Sequence, residues 1–252
     1  MFKRKIRILF GPILISSLFS CNSDAQNESN QATFIIQKSQ EVHASDILRN
    51  ANVSFQFNHH EYHRNFEDGQ EVRLRRTLNS EENILDEWRG DQLRRWINGE
   101  EVFLSDSMQN VYMNSINSVF YFFTLPMKLS DDAVISKYIG EEVILGTNYH
   151  KIEITFTAEG GGDDYEDIYV YWFNAQDYTL DFFAYQYFTN GGGMRFRSAM
   201  NRRKIADVLV QDYANFSPID QSSVYDLAKA YEDGQLKLVS DINKLNVQLS
   251  VN

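Results

Sequence analysis

Three histidines and a glutamate stand close together in the segment NHHEYH at 58–63. In an extended strand His59, Glu61 and His63 fall on one face, with His60 on the other, and imidazoles with a carboxylate suit Zn²⁺. The Cα atoms of His59 and His63 would lie about 13 Å apart, which is too far for one ion without a bulge. We therefore predict a polar outer strand face here and no metal.

Four carboxylates, Asp163, Asp164, Glu166 and Asp167, follow three consecutive glycines. Oxygen ligands on flexible backbone suit Ca²⁺, but the glycine and the glutamate that an EF-hand loop needs at fixed positions are missing. A solvated acidic hairpin loop is the favoured interpretation, and calcium binding is left open.

A second glycine run, at 191–193, precedes Arg195 and Arg197 and could cradle a phosphate. No Gly-Lys-Ser/Thr sequence follows it and no helix is predicted there, so a tight turn is favoured. The chain also lacks Gly-x-Ser-x-Gly, His-Glu-x-x-His and a carboxylate pair in an apolar context. These observations predict a protein that is not an enzyme and uses no cofactor. An active site assembled only by the fold is the open alternative.

The N-terminus has the pattern of an export signal, because four basic residues precede a short apolar stretch at 8–19. That stretch is too short to span a bilayer. The sequence Leu-Phe-Ser-Cys at 18–21 resembles a bacterial lipobox, so Cys21, the only cysteine, is predicted to carry lipid. A catalytic thiol is disfavoured because a polar segment without apolar periodicity follows it. We expect residues 1–20 to be a signal peptide, 21–32 a flexible tether and 33–252 one domain.

Size and charge restrict the function further. The 252 residues are enough for one sizeable core. Removal of the four basic residues of the leader lowers the net charge from −11 to about −15. So acidic a surface repels nucleic acid and anionic membrane surfaces, and we predict no nucleic-acid binding.

Apolar spacing predicts few helices and many strands. One or two short helices are expected at 32–50, another where Ile116, Val119, Phe120 and Phe123 recur with helical spacing, and a last one after Pro218. Turn residues divide most of the remaining chain into ten to twelve sequential strands. No strand–helix–strand alternation appears. We therefore predict a mainly β (α+β) fold, a curved antiparallel sheet forming a half-open β-barrel closed by two or three helices.

Two aromatic runs, at 168–173 and 178–188, are central to this prediction. In the first, IYVYWF, and in the second, YTLDFFAYQYF, apolar side chains fall on both faces of a strand. Strands of this kind need two cores, or one core and one apolar cavity.

The chain from 122 onward resembles a known family. The resemblance rests on FFTLPMKL, on the stretch from YIGEEVILGTNYHKIEITF through GGGDDYED to the aromatic strands, and on NGGGMRFR. It is similar to a family of uncharacterised bacterial envelope lipoproteins, a domain of unknown function. Members often carry His-Gly-Gly after the first helix, whereas here Ala44 and Ser45 follow His43.

That family is similar in architecture to the LolA and LolB lipoprotein carriers, half-open antiparallel barrels closed by helices around an apolar cavity. The resemblance implies a membrane-anchored lipoprotein of the cell envelope that binds a lipid or other hydrophobic molecule as carrier or sensor. The outer membrane is the favoured location, and the face is left open.

The aromatic strands and this resemblance together give a candidate ligand site, with the helix around Phe120 as its lid. Its predicted lining consists of Trp96, Phe120, Phe123, Tyr171, Phe173, Phe183 and Tyr185. The alternative is a structural or interaction module that fills this space with its own side chains and meets an envelope protein partner through its surface.

Lipid attachment can be tested by replacing Cys21. The Cys21→Ser variant should accumulate as uncleaved precursor, because processing at a lipobox depends on the acylated cysteine. Immunoblotting of cell fractions measures both length and membrane association. A normally cleaved variant, with wild type in the aqueous phase after detergent partitioning, would contradict the prediction.

Overall fold

The computed structural model describes residues 20–78, 81–159, 165–220 and 223–251. Within these ranges the chain forms fourteen strands in two antiparallel sheets, four α-helices and three short 3₁₀ helices. Asp163 and Asp164 of the predicted acidic loop, and residues 1–19 of the predicted signal peptide, lie outside the described residues.

The N-terminal sheet has the strand order β14-β1-β2-β3-β4-β5-β6. Its strands are β1 (Ala51–Phe57), β2 (His60–Glu67), β3 (Gln70–Thr77), β4 (Ile84–Arg89), β5 (Gln92–Ile97), β6 (Glu100–Val102) and β14 (Leu245–Val251). The hairpins are tight because Asp68-Gly69 and Asn98-Gly99 place both residues at positive φ, as two-residue hairpin turns require.

The C-terminal sheet has the order β13-β12-β11-β10-β9-β8-β7. Its strands are β7 (Val134–Ile144), β8 (Thr147–Phe156), β9 (Ile168–Asn174), β10 (Leu180–Tyr187), β11 (Gly193–Ile205), β12 (Val208–Pro218) and β13 (Leu236–Ile242). The residues Asn243 and Lys244 carry the chain from β13 to β14 and so from one sheet to the other. Neither sheet closes on itself.

The α-helices are α1 (Ser20–Val42), α2 (Ser45–Asn50), α3 (Asp106–Phe123) and α4 (Leu227–Glu232), and the 3₁₀ helices are Met127–Ser130, Thr189–Gly191 and Val224–Asp226. Ser105 caps α3, since its hydroxyl accepts a hydrogen bond from the N–H of Met108 at 3.4 Å. None of the described helices has the length and apolarity needed to cross a membrane.

The predicted fold class is confirmed, with three corrections of detail. The described residues contain four α-helices instead of two or three, fourteen strands instead of ten to twelve, and two sheets. The strand count was low because most of β13 is exposed and shows no clear alternation. Short or exposed edge strands carry little hydrophobic signal.

The prediction of a flexible tether at 21–32 is wrong, because α1 runs through that segment. Ala32, Ile35 and Ile36 are buried in the core beneath this helix. Nearer its start, Glu28 forms an ion pair with Lys137 of β7 at 3.6 Å. Packing of one apolar stripe therefore stabilises a helix whose exposed residues alone would not indicate one.

The two-sided aromatic strands are covered by two separate cores. On one face of the C-terminal sheet, Tyr171 and Phe183 pack in a cluster with Ile36 of α1. On the other face, Trp172 packs in a cluster with Leu227 of α4. All five side chains are at most 2% exposed, so the chain itself fills the space on both sides of β9 and β10.

An ion cluster is buried where α3 covers the N-terminal sheet. The carboxylate of Asp86, 1% exposed, accepts hydrogen bonds from Arg75 at 2.7 Å and from Arg95 at 2.6 Å. Arg75 also donates to the hydroxyl of Ser115 at 3.0 Å, which joins α3 to the sheet. The carboxylate thus compensates two guanidinium groups that have little access to water.

Asp86→Asn should lower the free energy of unfolding by about 3 kcal/mol or more, because it leaves Arg75 and Arg95 without a buried counter-charge. Urea unfolding followed by circular dichroism measures the change. Glu101→Gln is the control, since it removes the carboxylate from the exposed Arg94–Glu101 pair and should leave the midpoint unchanged. Equal midpoints for both variants would contradict a structural role for the cluster.

Candidate functional site

A cavity of about 150 Å³ lies where the two sheets meet α3. It is lined by Phe55, Phe57, Ser118, Val119, Phe122, Tyr185, Arg197, Ile242 and Lys244. Ser118 is exposed, so the cavity opens to solvent along α3. Its volume is below the roughly 300–1,000 Å³ of sites that enclose a drug-sized molecule.

Helix α3 contributes to this cavity with only one of its two apolar faces. Ile116, Phe120 and Phe123 follow helical spacing and pack on the N-terminal sheet. Val119 and Phe122 fall on the neighbouring face and line the cavity. Alternation along β1 turns Phe55 and Phe57 to the same side, so aromatic side chains wall the cavity from both the helix and the sheet.

Arg197 brings a buried positive charge to the cavity. Its side chain is 8% exposed, and its guanidinium lies over the Phe122 ring at 4.2 Å from the centroid. One of its Nη atoms donates to the Tyr185 hydroxyl at 3.0 Å. Its buried Nε makes no hydrogen bond within the described part of the chain.

Lys244, from the link between the sheets, brings a second basic group. It is 5% exposed, its Nζ donates to the carbonyl of Gln211 at 2.7 Å, and it lies over the Tyr213 ring at 4.7 Å. Burial lowers the pKa of Lys244 to about 7, and the positive charges of Arg197 and Arg203 act in the same direction, against the carboxylate of Asp212.

Of the seven residues predicted to line a ligand site, Tyr185 alone is among the cavity-lining residues. Tyr171, Phe173 and Phe183 are fully buried in the core beneath α1. These rings pack against other side chains of the core and not against a ligand cavity. The prediction placed these rings against a ligand because one chain segment alone does not reveal which helix covers it.

Phe120 and Phe123 are also core residues and do not form the cavity wall. The Phe123 ring stacks on Phe55 with centroids 4.3 Å apart, and the Phe120 ring meets Phe55 edge-on at 5.7 Å. The neighbouring Phe122, which was not predicted, takes the position at the cavity.

Trp96 lies on the opposite face of the N-terminal sheet from α3. Arg95 faces α3, with its guanidinium 3.7 Å from the centroid of the Tyr112 ring. Alternation along β5 therefore turns Trp96 outward. There it lines a separate surface groove of about 280 Å³ whose other residues include Arg76 and Glu87.

Sequence reasoning selected Arg197 for a different reason, as a partner of the glycine turn. In the structure the turn is tight, and a Cβ on Gly193 would stand 2.6 Å from the hydroxyl of Tyr187. Arg195 lies over that same Tyr187 ring, whereas Arg197 is buried at the cavity. Arg197 follows Phe196 in a predicted strand, which was the available signal, whereas Lys244, in a polar break between two strands, offered none.

In the structure, the described residues of the histidine segment and of the acidic loop make contacts within the protein and do not form a metal site. His63 Nε2 lies 3.2 Å from a carboxylate oxygen of Glu61, and the described residues contain no group of three or more side chains placed to hold a metal ion. Asp167 is buried and accepts a hydrogen bond from the N–H of Phe188 at 3.3 Å, while Glu166 is exposed. Asp167 thus links the start of β9 to the end of β10 through this hydrogen bond.

His43 is a buried connector between the helices and the C-terminal sheet. Its Nε2 accepts a hydrogen bond from the N–H of Leu180 at 3.2 Å, beside the register shift between Leu180 and Phe182. Burial lowers the pKa of His43 to about 4, with the charge of Arg202 acting in the same direction. The side chain is therefore neutral near pH 7, as an acceptor nitrogen must be.

Two open antiparallel sheets, covered by helices and meeting at a small apolar cavity, define a half-open β-barrel with helices packed on it. The chain belongs to the family of unknown function DUF6503, which matches residues 88–244. The predicted membership in an uncharacterised family is thereby confirmed. No curated protein matches the chain.

Solved structures resemble the chain over most of its length. A DUF1329 family protein from Desulfovibrio piger is 12% identical with a TM-score of 0.52, and the match covers 89% of this chain and 94% of that one. A LolA superfamily protein from Nitrosomonas europaea is 11% identical with a TM-score of 0.48, covering 87% and 93%. The likeness to the first supports the fold and extends no further.

The low pKa of His43 predicts a pH-dependent stability. Between pH 6.5 and 4 the unfolded chain binds a proton at this imidazole that the folded chain does not. The stabilisation is complete above pH 6.5 and is lost as the pH falls towards 4. Wild type should therefore lose about 3 kcal/mol more than His43→Gln over this interval, since glutamine retains an acceptor without titrating.

Urea unfolding at several pH values measures this difference. The comparison with His43→Gln removes the contribution of the carboxylates, which both proteins share. Parallel stability curves for the two proteins would contradict the assignment of His43 as a buried neutral acceptor.

Proposed function

We propose that this protein is a non-enzymatic envelope lipoprotein that binds a hydrophobic ligand in the cavity between its two sheets and α3. The observation that carries the proposal is this cavity, whose aromatic and aliphatic walls come from both sheets and from α3 and which opens at Ser118. The cores on either side of the C-terminal sheet are filled by side chains of the described residues and leave no room for a ligand there.

The size of the cavity limits the ligand. At about 150 Å³ it has room for a short apolar segment, and a whole two-chain lipid does not fit. A larger ligand would require α3 to move away from the C-terminal sheet. The contacts of α3 favour a movement away from the C-terminal sheet, because its side-chain hydrogen bonds hold it mainly to the N-terminal sheet.

Polar bonds fasten α3 to the N-terminal sheet. Asn117 accepts from Arg73 at 2.9 Å and Ser115 from Arg75 at 3.0 Å. Against the C-terminal sheet, the helix contributes the Tyr121 hydroxyl, 3.1 Å from that of Tyr171, and the ring of Phe122. We propose that α3 moves with the N-terminal sheet and that the rings of Tyr121 and Phe122 part from the C-terminal sheet when the cavity opens.

Membrane attachment through a lipid on Cys21 completes the proposal. The resemblance of 18–21 to a lipobox supports it. Attachment would hold the domain at a membrane of the cell envelope, where hydrophobic molecules are available for uptake or sensing, and we propose the outer membrane as that site.

One observation favours the alternative of an interaction module. Such a module was expected to fill the space around the aromatic strands with its own side chains, and Tyr171, Phe173 and Phe183 are completely buried. Phe103, just before α3, is 93% exposed and would suit contact with an envelope partner. The two functions differ in whether the cavity accepts a ligand.

Binding of the neutral fluorophore N-phenylnaphthylamine tests the proposal. Wild type should show a saturable fluorescence increase at one molecule per chain, because the probe gains an apolar environment. Ser118→Trp places a large side chain at the cavity mouth and should weaken binding by about tenfold or more, the effect of losing ~1.4 kcal/mol or more.

Asn110→Trp is the matched control, since Asn110 is exposed on the same helix and is not among the lining residues. It should bind like wild type. Absence of saturable binding in wild type, or equal binding by Ser118→Trp, would favour the interaction module.

A further inference from the structure

The cavity combines apolar walls with two basic side chains in a chain that is acidic overall. The whole chain has a formal net charge of −11. Arg197 and Lys244 nevertheless both line the cavity, and each is more than nine-tenths buried. Cavities that only hold hydrocarbon have no need of buried cations.

Neighbouring arginines show how such charges are usually compensated. Arg203, on the same strand as Arg197, forms an ion pair with Asp212 at 3.1 Å, and Arg202 pairs with Asp181. Within the described part of the chain, neither Arg197 nor Lys244 forms a direct ion pair, and Arg197 Nε has no hydrogen-bond partner. The carboxylate of Asp212, which pairs with Arg203, acts on Lys244 from a greater distance, so Arg197 is the less compensated of the two. A buried charge without a counter-charge costs several kcal/mol.

We propose that the ligand is a single-chain amphiphile whose anionic head group, a carboxylate or a phosphate, binds between Arg197 and Lys244. This inference rests on the proposed function of the cavity and specifies the chemistry of its ligand. The chain of the amphiphile lies against Phe55, Phe57 and Val119 and leaves the cavity at the mouth.

The donors at the charged end match such a head group. Arg197 is fixed by its contacts with Phe122 and Tyr185, and its free Nε–H can donate to an anionic oxygen. The Tyr185 hydroxyl accepts from Arg197, so its own proton is available as a second donor. The amine of Lys244 uses one hydrogen bond, to Gln211, and can donate others.

Calorimetric titration with octanoate, octyl phosphate and octanol tests the head group, because the three share one chain. At least one of the anions should bind wild type about ten- to a hundredfold more tightly than octanol, the range expected for hydrogen bonds to charged groups. Arg197→Met should reduce anion binding to the level of octanol and leave octanol binding unchanged.

Arg195→Met is the matched control, since Arg195 lies on the same face of the same strand but contacts Tyr187 outside the cavity. It should bind all three compounds like wild type. Lys244→Met provides an independent variant, with a smaller loss for the anions, should Arg197→Met fail to fold.

The outcomes separate this inference from the function on which it rests. Preference for octanoate or for octyl phosphate supports the proposal and decides between carboxylate and phosphate. Equal binding of anions and octanol overturns the anionic head group and leaves the hydrophobic site in place. Absence of binding for all three overturns both, and an equal loss in Arg195→Met would show that the effect is one of net charge alone.

Discussion

Strands β9 and β10 are apolar on both faces, and the chain is arranged so that water reaches neither face. Helix α1 covers one side and α4 the other. Because a sheet with two apolar faces must be covered twice, the helices could not be gathered on one side as a single cap. The N-terminal sheet is covered on one face only, by α3 together with Leu48 of α2.

The arrangement of the helices on the two sheets explains the position of the cavity. Each sheet is covered by its own helices, and the cavity falls at the junction, where α3 turns a second face to side chains of the other sheet. Packing within either sheet is dense and self-sufficient. Packing between the sheets involves α3, the two-residue link that contains Lys244, and Val208 and Val210 of β12, which share a core cluster with Leu48 of α2 and with strand β1.

Much of the fold was predictable because its signals are local. Turn glycines and alternating strands give the antiparallel hairpins, and Ile116, Phe120 and Phe123 identify the helix that packs on a sheet. The start of α3 and the part of α1 before residue 32 were harder to predict, because their exposed turns are polar. For such segments tertiary contacts decide the conformation, and a single sequence does not display them.

The candidate site was predicted less well because it is not local. Its lining comes from β1, α3, β10, β11 and the end of β13, and no spacing rule connects segments so far apart in the chain. Trp96 shows the same limit within one strand. An aromatic residue at an alternate position of a strand is easy to find, but the side of the sheet that faces a helix depends on partners elsewhere in the sequence.

Helix α1 would determine how the domain is held under the proposed attachment through Cys21. From Cys21 to Ile35 it is continuous, a distance of about 20 Å at the helical rise, and its later turns are embedded in the core. A lipid on Cys21 would therefore be connected to the domain by a rigid helix and not by a flexible linker. The orientation of the domain relative to the bilayer, and with it the direction of the mouth at Ser118, would then be set by the direction of this helix.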